Sequence, residues 1–208
     1  TIATNFKVAS IDGVDLTSEF VAVGNELNTW PCVKAAFHGG VTPQLQQGTG
    51  LALPYPDASF TKVVMLHVGM NVEDKAKLFQ EFSRVLRPGG KAGVYDIMRL
   101  ADGELPFPMP WSSQPQTSFV QTPAAYKEAM AAAGLVLQKE ENRTSPVLEL
   151  LAKQVAAMAE AAAKQSPLQL GILLGETAPL KGRNVSSMAK EGVIGPVELL
   201  CVKPESKQ

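Results

Sequence analysis

Asp15 closes a short apolar run, Phe6 to Asp15 (FKVASIDGVD), in which Val8, Ile11 and Val14 are interleaved with small residues as in a strand covered on both faces. A carboxylate at such a strand end is where a doubly wound nucleotide-binding fold accepts hydrogen bonds from ribose hydroxyls, so the position suits an adenosine ligand. Asp15, or the nearby Asp12, could equally be a residue that ends a strand and touches nothing. His67 lies in a second apolar run, Phe60 to Val68 (FTKVVMLHV), at the carboxyl end where open α/β sheets bind ligands, and there it could meet a cofactor or a substrate. His38 stands in a Gly-rich loop and reads as solvated. Cys32 and Cys201 are far apart and form no CxxC, so the pattern gives no thiolate metal site. Gly48-Thr49-Gly50 imitates a nucleotide-binding glycine turn, but such a turn opens a helix, whereas here LALPYPD follows, with Leu53 where a third glycine would stand.

The elements that must position these residues alternate. After the first strand, Thr17 offers a hydroxyl cap, and Phe20, Val23 and Leu27 recur at helical spacing, which predicts a helix from Ser18 to Asn28. Helical periodicity is lost between Trp30 and Gly50, with a short strand near Pro43 to Gln47. The turn Leu53-Pro54-Tyr55-Pro56-Asp57 leads into the strand that carries His67. Asn71 is placed to cap a helix in which Leu78, Phe79, Phe82, Val85 and Leu86 share one face, and Arg87-Pro88-Gly89-Gly90 stops it. Lys91 to Met98 (KAGVYDIM) predicts a strand, Thr122-Pro123 a helix closed at Gly134, and Leu135 to Lys139 another strand. Leu100 to Gln121, with Pro106, Pro108, Pro110 and Pro115 around Trp111, cannot be helical. A long helix is predicted from about Val147 to Lys164, then a last strand from Glu198 to Val202. Strands and helices in alternation imply an α/β fold with a mainly parallel sheet.

Leu53 to Phe60 (LPYPDASF), a buried strand, a capped helix, Arg84 to Gly90 (RVLRPGG) and a strand ending at Tyr95-Asp96 follow one another in order. This order resembles the class I S-adenosylmethionine (SAM) dependent methyltransferases, in particular the ubiquinone/menaquinone C-methyltransferases and the sarcosine/dimethylglycine N-methyltransferases. The stretch Asn184 to Lys203 is similar to the end of such enzymes, where the last strand inserts antiparallel. The resemblance implies a Rossmann-like methyltransferase fold, SAM as cofactor, and methyl transfer to an N, O or C nucleophile of a small-molecule acceptor. It places Asp15, Leu16, Thr49, Gly50, Leu51 and His67 at the cofactor and assigns no catalytic residue, because such enzymes work mainly by holding donor and acceptor in line. It implies one domain over residues 1–208, with acceptor-side or lid segments at 100–121 and 146–190 and with Trp111 and Tyr126 as acceptor walls. The motifs themselves read as structural, one as an entry turn and the other as a helix stop.

The chain departs from the family pattern at Thr49 and Thr61, where the family carries acidic residues. Its glycine-rich loop belongs ~20 residues before the ribose-binding acid, and counting back from Asp15 runs off the chain. The expectation is a fold without its first, central strand, from a truncated reading frame, whose exposed sheet edge and apolar surface lead to a homo-oligomer. A non-catalytic methyltransferase-like protein that does not bind SAM is the alternative. A nicotinamide-dependent oxidoreductase would share the acidic strand end but does not account for the order of the two motifs.

Composition sets the remaining bounds. The 208 residues are 45% hydrophobic, enough for one sizeable core. Nineteen basic against twenty acidic residues leave a net charge of -1, which excludes electrostatic attraction to nucleic acid or anionic lipid. No apolar stretch reaches the ~18 residues of a membrane span, and two cysteines fit a reducing cytoplasm.

Overall fold

The computed structural model describes residues 5, 8–37, 41–160 and 175–205. Its contacts divide the chain into two compact units, 1–56 and 57–208, taken here one at a time. His38 and the tail of the long predicted helix, from 161 onward, lie outside the described residues.

In the first unit β1 (Asp12–Asp15) leads to α1 (Ser18–Leu27), a short α2 (Pro31–Lys34) and β2 (Gln44–Gln47). β1 and β2 are parallel and in register, Asp12 opposite Gln44 and Asp15 opposite Gln47. Of the described residues in the strand expected over Phe6 to Asp15, only the last four form β1. Thr17 takes the N-cap position of α1, but its side chain caps nothing; instead its N–H donates to Asp15 Oδ1 at 2.8 Å. The Gly24 side of α1 faces β2, where any larger residue would strike Leu45. Asn25 fixes this contact, donating to the Leu45 carbonyl and accepting from the Leu45 N–H. Phe20, Val23 and Leu27, whose helical spacing predicted this helix, are exposed.

The second unit holds a four-stranded sheet in the order β3 (Phe60–Leu66), β4 (Leu86–Arg99), β6 (Ile194–Val202), β5 (Val136–Asn142). β3 and β4 are parallel, whereas β6 runs antiparallel to both of its neighbours, as the resemblance implied for the last strand. Between these strands lie α3 (Lys75–Val85), α4 (Pro123–Ala132), α5 (Thr144–Glu160) and α6 (Ala178–Lys190). Leu78, Phe79, Phe82 and Val85 of α3 are buried with Tyr126 and Met130 of α4 and with Ala92, Val94, Leu199 and Cys201 of the sheet. Each large side chain in this layer contributes about 2–3 kcal/mol by leaving water.

Three local expectations are corrected. Asp74, not Asn71, caps α3 by accepting from the Lys77 N–H, and Asn71 ends a 3-10 turn over Gly69–Asn71. The helix ends at Val85 and β4 begins directly at Leu86, so Arg87 to Gly90 lies inside the strand rather than between the two elements; Gly89 takes a left-handed φ of 73°, and Gly89 and Gly90 pair with Lys203. The segment after the long helix contains α6, whose Asn184 donates to the Pro108 carbonyl at 2.9 Å and so ties the helix to the proline-rich loop.

The two family motifs clamp each other. Arg84 bridges Asp57 at 2.9 Å and Glu81 at 2.8 Å, while the Ala58 N–H donates to the Arg84 carbonyl and Arg87 Nε to the Ala58 carbonyl. These two segments therefore have a structural role in this chain.

Candidate functional site

Parallel strands bring their carboxyl ends to one side, and in the first unit this gathers Asp15, Leu16 and the turn Thr49–Leu51. Register places Asp15 opposite Gln47, and the Gly48 N–H donates to the Asp15 carbonyl at 2.9 Å. Thr49 then turns the chain: it bridges to Ala52, and its hydroxyl accepts from the Leu51 N–H at 3.2 Å. One carboxylate oxygen of Asp15 is held by the Thr17 N–H, and the other has no partner among the described residues. Gly13, Val14, Asp15 and Phe20 border a hollow of about 180 Å³ at this end. Leu16 is 72% exposed, an apolar side chain standing beside a half-used carboxylate. An acceptor oxygen and an apolar flank together fit a ribose and the base attached to it.

His67 belongs to the second unit, directly after β3. Its φ of 54° is left-handed, which a residue with a β-carbon adopts at a cost and which recurs where a side chain is being aimed. The His67 N–H donates to the Tyr95 carbonyl at 2.8 Å, and the two rings meet edge to face at 5.0 Å. The side chain has substantial solvent contact, yet the surrounding protein desolvates the imidazole enough to lower its pKa, so it is predominantly neutral at pH 7. Tyr95 is aligned across the sheet with Glu198 and Glu141, which form an ion-pair network with Arg143 and Lys139.

Beneath His67 lies a polar cluster that sequence reasoning did not single out. Asp96 is fully buried on β4 and accepts from Tyr126 Oη at 2.8 Å, from the Ile97 N–H at 3.1 Å and from the Gly69 N–H. Burial pushes its carboxyl up to about 6, against the lowering effect of those donors and of Lys75. Lys75 is also buried; its ammonium donates to the Val72 and Phe119 carbonyls and lies 5.2 Å from the centre of the Tyr126 ring. Desolvation lowers Lys75 to about 8, the charge of Asp96 acting in the opposite direction. Any side chain at Gly69 would strike Asp96 and Tyr126, which explains glycine there. The expectation that Tyr126 walls an acceptor site is thereby corrected: its ring is 0% exposed, and its hydroxyl is committed to Asp96. Trp111 packs the proline-rich loop, with Nε1 donating to Ser118 Oγ at 2.9 Å.

The same loop borders an open cavity of about 480 Å³ at the carboxyl end of β4, lined among others by Arg99, Glu104, Leu105, Phe107, Ser118 and Val120. Among the described residues there is no cluster of three metal-ligating side chains, and no helix is long and apolar enough to cross a membrane.

Residues 2–94 match the family model for a methyltransferase domain. A demethylmenaquinone methyltransferase of Shouchella clausii is 35% identical over 82 residues, which are 39% of this chain and 32% of that protein. Its counterpart in Lactobacillus johnsonii is 43% identical over 54 residues, 26% of this chain and 22% of that protein. The matches thus span about a third or less of the curated relatives. Among solved structures, a putative sarcosine dimethylglycine methyltransferase from Galdieria sulphuraria superposes with a TM-score of 0.68 at 21% identity, over 94% of this chain and 70% of that one. Geranyl diphosphate C-methyltransferase from Streptomyces coelicolor gives 0.64 at 21% identity, over 92% and 62%. The cyclase SpnF gives 0.67 at 19% identity, over 99% and 69%. The fold is the Rossmann-like α/β fold of these enzymes.

Proposed function

We propose that this protein, whose residues 2–94 match the family model for a methyltransferase domain, is of the class I SAM-dependent type, binds SAM and transfers its methyl group to a small-molecule acceptor. The observation that carries the reading is Asp15, a carboxylate with one oxygen unused at the end of a parallel strand, next to a hollow and the exposed Leu16. Asp15 would take the ribose hydroxyls, Leu16 and the turn Thr49, Gly50 and Leu51 would border the adenine, and the sulfonium, once held, supplies the methyl group. His67 is a proposed contact to cofactor or acceptor, and the loop 100–121 is the proposed acceptor side.

Calorimetric titration with S-adenosylhomocysteine tests this: micromolar binding is expected, weakened about tenfold by Asp15→Ala through loss of charge-assisted hydrogen bonds. Absence of heat at millimolar ligand, or an unchanged affinity in the variant, would sink the reading. Thr49, standing where the family has an acid, favours the second reading, a methyltransferase-like protein without SAM. The similarity to a cyclase shows how the same fold serves other chemistry. A silent titration would point that way.

We also propose that the chain forms homo-oligomers. β3 is an edge strand of its sheet, and Val64 and Leu66 on it and Val68 just beyond it are each about half exposed. Light scattering should give a mass of at least two chains; a stable monomer at high concentration would refute the proposal.

A further inference from the structure

Arg99 ends β4, at the edge where α/β sheets receive ligands, and its guanidinium is underused. One of its N–H groups donates to the Gly103 carbonyl at 2.7 Å, and among the described residues it makes no ion pair and no other side-chain hydrogen bond. Arg normally presents five donors in a planar fork matched to a carboxylate. Arg99 borders the 480 Å³ cavity together with the apolar Leu105, Phe107, Pro115 and Val120 and with Gly103, Glu104 and Ser118. That volume is within the range of small-molecule sites, which combine apolar side chains with a small number of placed polar or charged groups. Glu104 also borders the cavity and is likewise unpaired among the described residues. Its negative charge disfavours a phosphate dianion and leaves room for a single anionic charge on the ligand.

We propose that this cavity binds a monocarboxylate with an apolar body, the carboxylate on Arg99 and the body against Phe107, Leu105 and Val120. The assignment of this ligand as the methyl acceptor rests on the proposed methyltransferase function; the carboxylate site itself rests on the cavity alone. Such a site selects the ligand by charge at one end and by apolar contact at the other.

The probes are 4-phenylbutyrate and 4-phenylbutanol, which share a body and differ in charge, titrated into the full chain at low salt by ligand-observed NMR, with phenyl phosphate as a third arm. Phenylbutyrate should bind about tenfold more tightly than the alcohol, and more tightly than phenyl phosphate. Arg99→Gln should abolish the preference over the alcohol while retaining binding of the alcohol itself. Glu104→Gln should act in the opposite direction, tightening phenylbutyrate about two- to threefold by removing a like charge. It also keeps the proposal testable if Arg99→Gln fails to fold. Equal affinity for acid and alcohol, a preference that survives Arg99→Gln, tighter binding of the phosphate, no effect of Glu104→Gln, or no binding at millimolar concentration would each overturn it. If S-adenosylhomocysteine does not bind but phenylbutyrate does so through Arg99, the methyltransferase reading fails and the carboxylate site stands; the reverse pattern sinks the site alone.

Discussion

Replacing Tyr126 by Phe should lower the unfolding free energy by about 2–3 kcal/mol at pH 7 and by about 1 kcal/mol at pH 5. The hydroxyl donates to Asp96 Oδ2 at a position with no solvent contact, so no water replaces it. At pH 7 the Asp96 carboxyl, titrating at about 6, is charged, and a buried carboxylate deprived of a donor bears a desolvation cost larger than the value of an ordinary hydrogen bond. At pH 5 the same group is mostly protonated, and only a neutral bond is lost. The ring itself stays, so its edge contact with Phe79, with centroids 5.9 Å apart, is unaffected and no cavity confounds the result. Urea denaturation of both proteins at the two pH values measures the difference. A loss below about 0.5 kcal/mol, or one that does not grow between pH 5 and 7, would mean that Tyr126 does not stabilise the carboxylate.

The cluster around Asp96 also marks the limit of what was legible in the chain. Phe60 to Val68 and Lys91 to Met98 were readable as strands because apolar runs bounded by turn residues have few other solutions, and the structure extends or trims them by a few residues. That Asp15 ends a strand was readable for the same reason, since a strand end is a local fact, whereas Thr49 was named only through the family resemblance. That the helix stops before 87–90 was legible in Pro and Gly, but the inclusion of these residues in β4 was not, because it depends on pairing with Lys203, more than a hundred residues away. The helix α6 escaped notice because Pro179 and Gly182 mask its periodicity, although proline in the first turn is compatible with a helix. Tyr126 looked like a ligand wall because an aromatic residue in a helix after a loop carries no mark of the carboxylate it will meet. Lys75, Gly69, Asp96 and Tyr126 lie on separate elements, so no spacing rule connects them; an acid inside the apolar run KAGVYDIM was the one available signal. Arg99 carried none, since its meaning comes from the loop folded beside it.

Two buried groups of opposite charge, Asp96 and Lys75, should leave a signature in the pH dependence of stability. The carboxyl of Asp96 titrates at about 6 in the folded chain, above its usual value of 3.8, so between these pH values the folded state holds more protons than the unfolded one. Stability contributed by this group is therefore present at low pH and lost as pH rises from about 4 to 6. Lys75 titrates at about 8 rather than 10.5, so from about pH 8 upward the folded state holds fewer protons, and stability returns as pH rises. Each shift amounts to about 3 kcal/mol at 1.36 kcal/mol per pKa unit, and both groups are buried enough for the conversion to hold as an order of magnitude. The expected profile has a trough between about pH 6 and 8. Asp96→Asn should flatten its acid limb, and Lys75→Met should flatten its alkaline limb while moving the acid limb to higher pH, because the remaining carboxyl loses a favourable charge. Chemical denaturation from pH 4 to 10 on the three proteins, read as differences from the unsubstituted chain, decides the matter; limbs unchanged in both variants would show that the pair does not set the profile. A pair that costs stability near neutral pH is explained by what it fixes. Lys75 binds the Val72 and Phe119 carbonyls, and Asp96 binds the Gly69 N–H, so the pair joins the turn after His67 to the segment that carries Ser118 and Val120 into the Arg99 cavity. The trough is the energetic cost of holding these two segments in one arrangement.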